Sequence, residues 1–283
     1  SDLEHMKKFW KNANGRLKTG MVMTAFFLVL GFALYYIPHV NPFTYNSYPG
    51  KLPPSWQHWL GTTSLGQDIF WLLMEAIHNS LLIGLIVALI GTVVGVFVGL
   101  LAGFSGGVVD RVLTVVTDTF VVIPSLPILI LMTSLMKGTS TAVLMALVLA
   151  MFAWAWPSRQ IRSMALTMKE RDFIQTAWFS GEGTVQVILT EILPFALTWS
   201  LSNFMNATLS AIASESSLAV LGLSPANLIS LGNMIQWARE RNAIFAGQWF
   251  WIGSPIMATV LLFIGLFLLI TGYNDYLSRK RGR

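Results

Sequence analysis

The chain has 283 residues, of which 54% are hydrophobic and 11% charged, with a net charge of +5 and no cysteine. Soluble domains carry roughly 25% charged residues, so the composition excludes an ordinary globular enzyme and points to a membrane protein. Without cysteine there is no disulfide framework, thiolate metal site or thiol nucleophile. The basic excess reads as cytoplasmic flanks of membrane spans rather than a nucleic-acid surface.

Ser1 to His5 read as a non-native leader before a start at Met6. Residues 1–19 form a cytoplasmic segment, 20–273 a membrane domain and 274–283 a basic tail. A span needs about 20 apolar residues, and six such stretches are expected, at 20–37, 80–103, 113–136, 141–157, 193–214 and 252–273. No small-residue cleavage site follows the first, so it reads as a retained span rather than a signal peptide. A polar, Pro-rich segment follows it, where Trp56, Trp59 and Trp71 suit the interface belt. Asp110 and Arg111 read as a short polar turn between spans 2 and 3, and Lys137 marks the far end of span 3. A charged segment at about 159–192 follows span 4. A second long loop, holding Glu215, Arg239, Glu240 and Arg241, follows span 5. With six spans and both termini in the cytoplasm, 14 of the 18 Lys and Arg residues lie inside, as the positive-inside rule requires.

Polar features within the spans have two readings each. Gly91, Gly95, Gly99 and Gly103 share one face of span 2 and admit close backbone approach. They mark a seam beside a moving pathway or plain helix packing. Asp118 is an ionisable group inside span 3, just before Pro124 and Pro127 interrupt the backbone ladder. It belongs to a translocation pathway or makes a structural bond to a neighbouring segment. In span 5, Asn203, Asn206 and Ser210 fall on one helical face ahead of Glu215. That stripe lines a pathway or bonds between helices.

Several chemistries are set aside. Gly103-Phe104-Ser105-Gly106-Gly107 fits the nucleophile-elbow spacing but follows an apolar helix, with no placed His or acid partner. His5, His39, His58 and His78 form no ligand cluster. No phosphate-binding Gly-rich loop occurs, so any ATP must be bound by another chain.

The segment after span 4 reads Arg171-Asp172-Phe173-Ile174-Gln175-Thr176-Ala177-Trp178-Phe179-Ser180-Gly181, then reaches Leu193-Pro194. It resembles the EAA loop of ATP-binding cassette (ABC) importer permeases. Ala177, Gly181, Leu193 and Pro194 match that pattern, while Gln175 and Thr176 replace its Glu and first Ala. Leu60-Gly61-Thr62 with Leu65-Gly66-Gln67-Asp68, Gly103 to Arg111, Phe120 to Pro127, Glu215 to Leu223 and Gly232-Asn233-Met234 are similar to the second ("C") subunit of dipeptide and oligopeptide permeases.

The resemblance implies an all-α, six-span type I permease in a prokaryotic plasma membrane, without enzymatic activity or cofactor of its own. Its partners would be a related permease, two ATP-binding subunits carrying ATP and Mg, an external solute-binding protein and membrane lipid, with no nucleic acid. A short coupling helix would dock on an ATPase through Arg171, Asp172, Gln175, Thr176, Ala177 and Gly181. Gly181 would free the chain to turn, and Pro194 would lie in the first turn of span 5. The expected cargo is short peptides, with oligosaccharides second. The rival reading is an ion-driven secondary transporter, for which Asp118 beside Pro124 is the only hint.

Overall fold

In the computed structural model, Asn14 starts the first helix: its side-chain oxygen accepts from the Leu17 amide at 2.7 Å, satisfying one of the unpaired donors of a helix start. The structure describes residues 13–37, 39–135, 141–181, 183–225 and 227–281. The expectations for Ser1 to His5, Met6, Lys7, Lys8, Lys11, Met136, Lys137, Glu182 and Arg283 lie outside the described residues. Among those described, the chain is helical, with one isolated bridge between Thr62 and Asp68.

The helices in chain order are α1 (Gly15–Leu28), α2 (Ile69–Ser105), α3 (Gly107–Val122), α4 (Ser125–Leu135), α5 (Ala142–Ala153) and α6 (Ala155–Lys169). After them come α7 (Asp172–Phe179), α8 (Thr184–Val187), α9 (Leu193–Val220), α10 (Leu231–Glu240) and α11 (Trp249–Arg281). Among the described residues, four stretches are long and apolar enough to cross a membrane, and up to six if α3 with α4 and α5 with α6 each count as one bent span. Several run well past the bilayer. The 37 residues of α2 reach about 55 Å at 1.5 Å per residue, against a hydrocarbon core of about 30 Å.

Prolines set the bends. Pro124 pushes Ile123 out of the helical region, to φ −60° and ψ 126°, and α4 leaves α3 at 78°. The fourth span does not stop at Pro157. That proline sits in the first turn of α6, where its missing N–H costs little, and the chain bends by 40° just before it. Residues 159–169, expected in a loop, are therefore the continuing helix α6. Asp110 likewise lies in the first turn of α3 rather than in a turn between spans. The long loop expected after Glu215 contains α10, whose start is capped by Ser230 accepting from the Asn233 amide at 3.2 Å.

Two compact units emerge. The first draws on Ser1–Gly84, Ile130–Met145 and Leu209–Arg283. Its core joins Leu72, Ile77, Leu81, Ile212, Met234, Trp251 and Leu262, all nearly inaccessible. Gly20 and Gly272 let the backbones of α1 and α11 touch. Between α1 and α2, Asp68 caps α2 by accepting from the Phe70 amide at 2.9 Å, and its other oxygen lies 2.7 Å from His58.

The second unit draws on Leu85–Leu129 and Ala146–Thr208. Here the glycine face of α2 lies on α5 and α6. A Cβ at Gly91 would meet Ala153 at 2.8 Å, at Gly95 Pro157 at 2.8 Å, at Gly99 the Ser158 carbonyl at 2.6 Å, and at Gly103 Ala165 at 2.7 Å. Real side-chain carbons do not approach that closely, so only glycine permits this parallel contact. The stripe is a packing surface, the simpler of its two readings.

Candidate functional site

The segment after α6 is built on an apolar anchor. Arg171 has extended backbone, φ −76° and ψ 142°, and α7 begins at Asp172, whose negative charge suits a helix N-terminus. Ile174 is fully buried in a cluster with Leu100, Ile161, Ala165, Val187 and Ile192, and Ala177 and Trp178 pack against it. The opposite face is open: Phe179 is 89% exposed and Phe173 43%, with Val185, Leu189 and Phe195 exposed nearby. Arg171, Asp172 and Thr176 share the open side. Gln175 turns back instead, donating to the Lys169 carbonyl at 3.1 Å. It thereby caps the end of α6.

Gly181 ends α7 at φ +89°, the left-handed conformation that favours glycine, and its amide donates to the Trp178 carbonyl at 3.0 Å. The turn expected there is present. Pro194 departs from expectation. The helical path runs unbroken from Thr184 to Val220, so Pro194 does not follow a free start. A π-helical turn over Ile188–Ile192 precedes it. Such a widened turn shifts the hydrogen-bond ladder where a proline cannot donate. Leu193 packs on the Ile174 cluster, and Pro194 is exposed.

The polar residues expected along the pathway separate. Asn203 is buried and donates to Thr92 Oγ1 at 3.0 Å, a bond between α9 and α2 within the second unit. Asn206 and Ser210 are exposed on α9. Asp118 and Arg159 make a loose pair at 3.8 Å, both about half exposed on the protein surface. Such a pair contributes little.

Glu215 is fully inaccessible. Its Oε1 accepts from Ser230 Oγ at 2.7 Å and from Ser224 Oγ at 3.3 Å. Asn233 closes the same loop, donating to Ser224 Oγ at 3.2 Å, the Pro225 carbonyl at 3.1 Å and the Leu228 carbonyl at 2.7 Å. Gly232 lies against the backbone of Ser216. The stretch after Glu215 is thus a loop tied back onto the end of its own helix.

Sequence reasoning missed one further constellation. Arg162 on α6 holds Asp110 on α3 through two bonds, 2.6 Å to Oδ1 and 2.8 Å to Oδ2. Asp110 Oδ1 also accepts from Thr114 Oγ1 at 3.2 Å. The signal was present as an acid at the start of a helix with a Thr four residues on, but its partner lies 52 residues away.

The fold is thus a multi-span helical protein with a short helix after its fourth span, anchored on one face and exposed on the other. Residues 95–283 match the family described as binding-protein-dependent transport system inner membrane component, and the chain belongs to that family, as a permease subunit of an ABC importer. It is similar to the oligopeptide transport system permease protein OppC of Mycobacterium tuberculosis (strain ATCC 25618 / H37Rv), at 30% identity over 93% of this chain and 91% of that protein. OppC of Lactococcus lactis subsp. cremoris (strain SK11) is 27% identical over 75% of this chain and 72% of its own. The nickel transport system permease protein NikC of Escherichia coli (strain K12) is 29% identical over 75% of this chain and 76% of its own. These relatives give the ion-driven reading no support.

Proposed function

We propose that this permease imports short peptides delivered by an external binding protein, and that α7 couples it to separate ATP-binding subunits carrying ATP and Mg. The reading pairs it with a related permease chain and places both termini, the segment 159–192 and the tail 274–283 in the cytoplasm of a prokaryote. The observation that carries it is the two-sided build of α7. Ile174, Ala177 and Trp178 fix the helix to the bundle, while Phe173 and Phe179 stand exposed beside Arg171, Asp172 and Thr176. Exposed aromatics grouped on a rigid support are the kind of surface another protein covers. Closure of an ATPase dimer would push α7 and shift the packing of the bundle. The peptide cargo rests on the oligopeptide systems among the relatives.

Because the chain has no cysteine, one introduced thiol is unique. Asp172→Cys, Thr176→Cys and Phe179→Cys are each expected to crosslink to an ATP-binding subunit in the purified assembly. Leu197→Cys, exposed on the apolar surface of α9, is not. Absence of adduct at all three α7 positions would overturn the coupling role.

A further inference from the structure

Between α2 and α3 the chain turns on two consecutive glycines, Gly106 at φ +64° and Gly107 at φ +57°. A Cβ at either would meet nothing within 4 Å, so nothing packed against the two glycines themselves fixes the direction in which α3 leaves. The direction is set by α6. Arg162 grips Asp110 bidentately, three residues past the joint. Lys169 Nζ, near the end of α6, reaches the Phe104 carbonyl at 3.5 Å, two residues before it, and lies 5.7 Å from the centre of the Phe104 ring. The first tie is half-buried, with side-chain exposures of 30% and 20%. A planar guanidinium on a carboxylate in this setting fixes orientation as well as distance. The glycine face of α2 meanwhile holds α6 along its length, and α6 runs through Glu170 and Arg171 directly into α7.

We infer that the Arg162–Asp110 pair is a positioning clamp that makes α3 follow α6, so that a displacement delivered to α7 crosses the two-glycine joint and reaches the break at Pro124. The inference rests on the coupling role proposed for α7. Without the clamp, α6 and α2 still move together through the glycine contact, and Phe120 of α3 still packs on Phe152 and Trp154, but the first turns of α3 are free to pivot. Asp110 and Arg162 touch no cargo; they act through the helix they orient. The half-exposed Arg159–Asp118 pair, at 3.8 Å, is too loose to replace them.

The test uses the complete assembly, with spin labels at Val108→Cys on α3 and Thr167→Cys on α6, both exposed. In the parent the label separation is expected to be narrow and the same in the nucleotide-free and ATP/vanadate-trapped states. Asp110→Asn and Arg162→Gln should broaden it at least twofold and make it differ between states. In liposomes the same variants should lower uptake of radiolabelled trialanine per ATP hydrolysed at least tenfold. The charge swap Asp110→Arg with Arg162→Asp should recover at least a third of that ratio and narrow the distribution again, which a merely destabilised bundle would not do. Arg162→Lys keeps the charge without the fork and serves if a single variant fails to accumulate; it should give an intermediate width. Unchanged distances in the single variants, or a swap no better than either, would overturn the clamp. If ATPase subunits do not copurify with the parent, the coupling role itself fails. If only trialanine uptake fails, the peptide reading fails, and the label distances still decide.

Discussion

The stretches 171–195 and 215–234 are both short, both carry acids, amides and hydroxyls, and both depend on a helix beside them, yet they dispose of their polar and apolar groups in opposite ways. In the second, Glu215, Ser230 and Asn233 are fully buried and spend their hydrogen bonds on one another and on the carbonyls of Pro225 and Leu228. In the first, Asp172 and Thr176 are open to solvent and Phe179 is almost wholly uncovered. A buried polar group without a partner is costly, so the 215–234 loop pairs most of its buried groups internally, leaving Glu215 Oε2 and Asn233 Oδ1 without a protein partner among the described residues. Of its described residues, the 171–195 stretch buries only Ile174, Val187 and Ile192 deeply, and it leaves a surface for something else. Residue type alone does not separate a tie from a docking face; the direction of each side chain does.

The largest test of this contrast is Asn233→Leu. It removes three hydrogen bonds and orphans the buried Leu228 carbonyl, while the Pro225 carbonyl keeps the Leu228 amide, a loss on the order of 3 kcal/mol. The variant should fail to accumulate as a monodisperse assembly in fluorescence-detected gel filtration. An unchanged unfolding temperature would break the picture of a self-closed loop. Gly181→Val is intermediate. No atom lies within 4 Å of the added Cβ, so only the left-handed backbone is strained, at about 1–2 kcal/mol. The assembly should still form, while uptake per ATP falls several-fold; full coupling would show that the end of α7 bears no load. Glu215→Gln is the smallest. The amide oxygen still accepts from Ser230 and Ser224, and the amide nitrogen takes the place of Oε2, which already has no partner, so stability should change by less than about 1 kcal/mol and peptide uptake by less than twofold. A tenfold loss of uptake with stability intact would instead place Glu215 in the translocation pathway.

Much of this was legible in the chain itself. Runs of apolar residues fixed the spans because a bilayer demands their length. The four-residue spacing of Gly91, Gly95, Gly99 and Gly103 announced a close helix contact because spacing alone puts them on one face. Gly181 announced a turn because few other residues tolerate its φ. Boundaries were less legible where proline was read as a stop. Pro157 begins a bent continuation and Pro194 follows a π-helical turn, since neighbouring turns re-satisfy the carbonyls a proline releases.

Partners distant in sequence belonged to the tertiary structure alone. Asp110 and Arg162 looked like unrelated flanking charges until α6 was laid beside α3. Asn203, Asn206 and Ser210 formed one stripe in sequence, but packing sent the first to Thr92 and left the other two exposed. The sequence determined which segments must be helices and which faces must be apolar, because periodicity and bilayer thickness act locally. Only the folded chain decided which polar groups are consumed within it and which are left to meet another molecule, because that depends on what each helix is packed against.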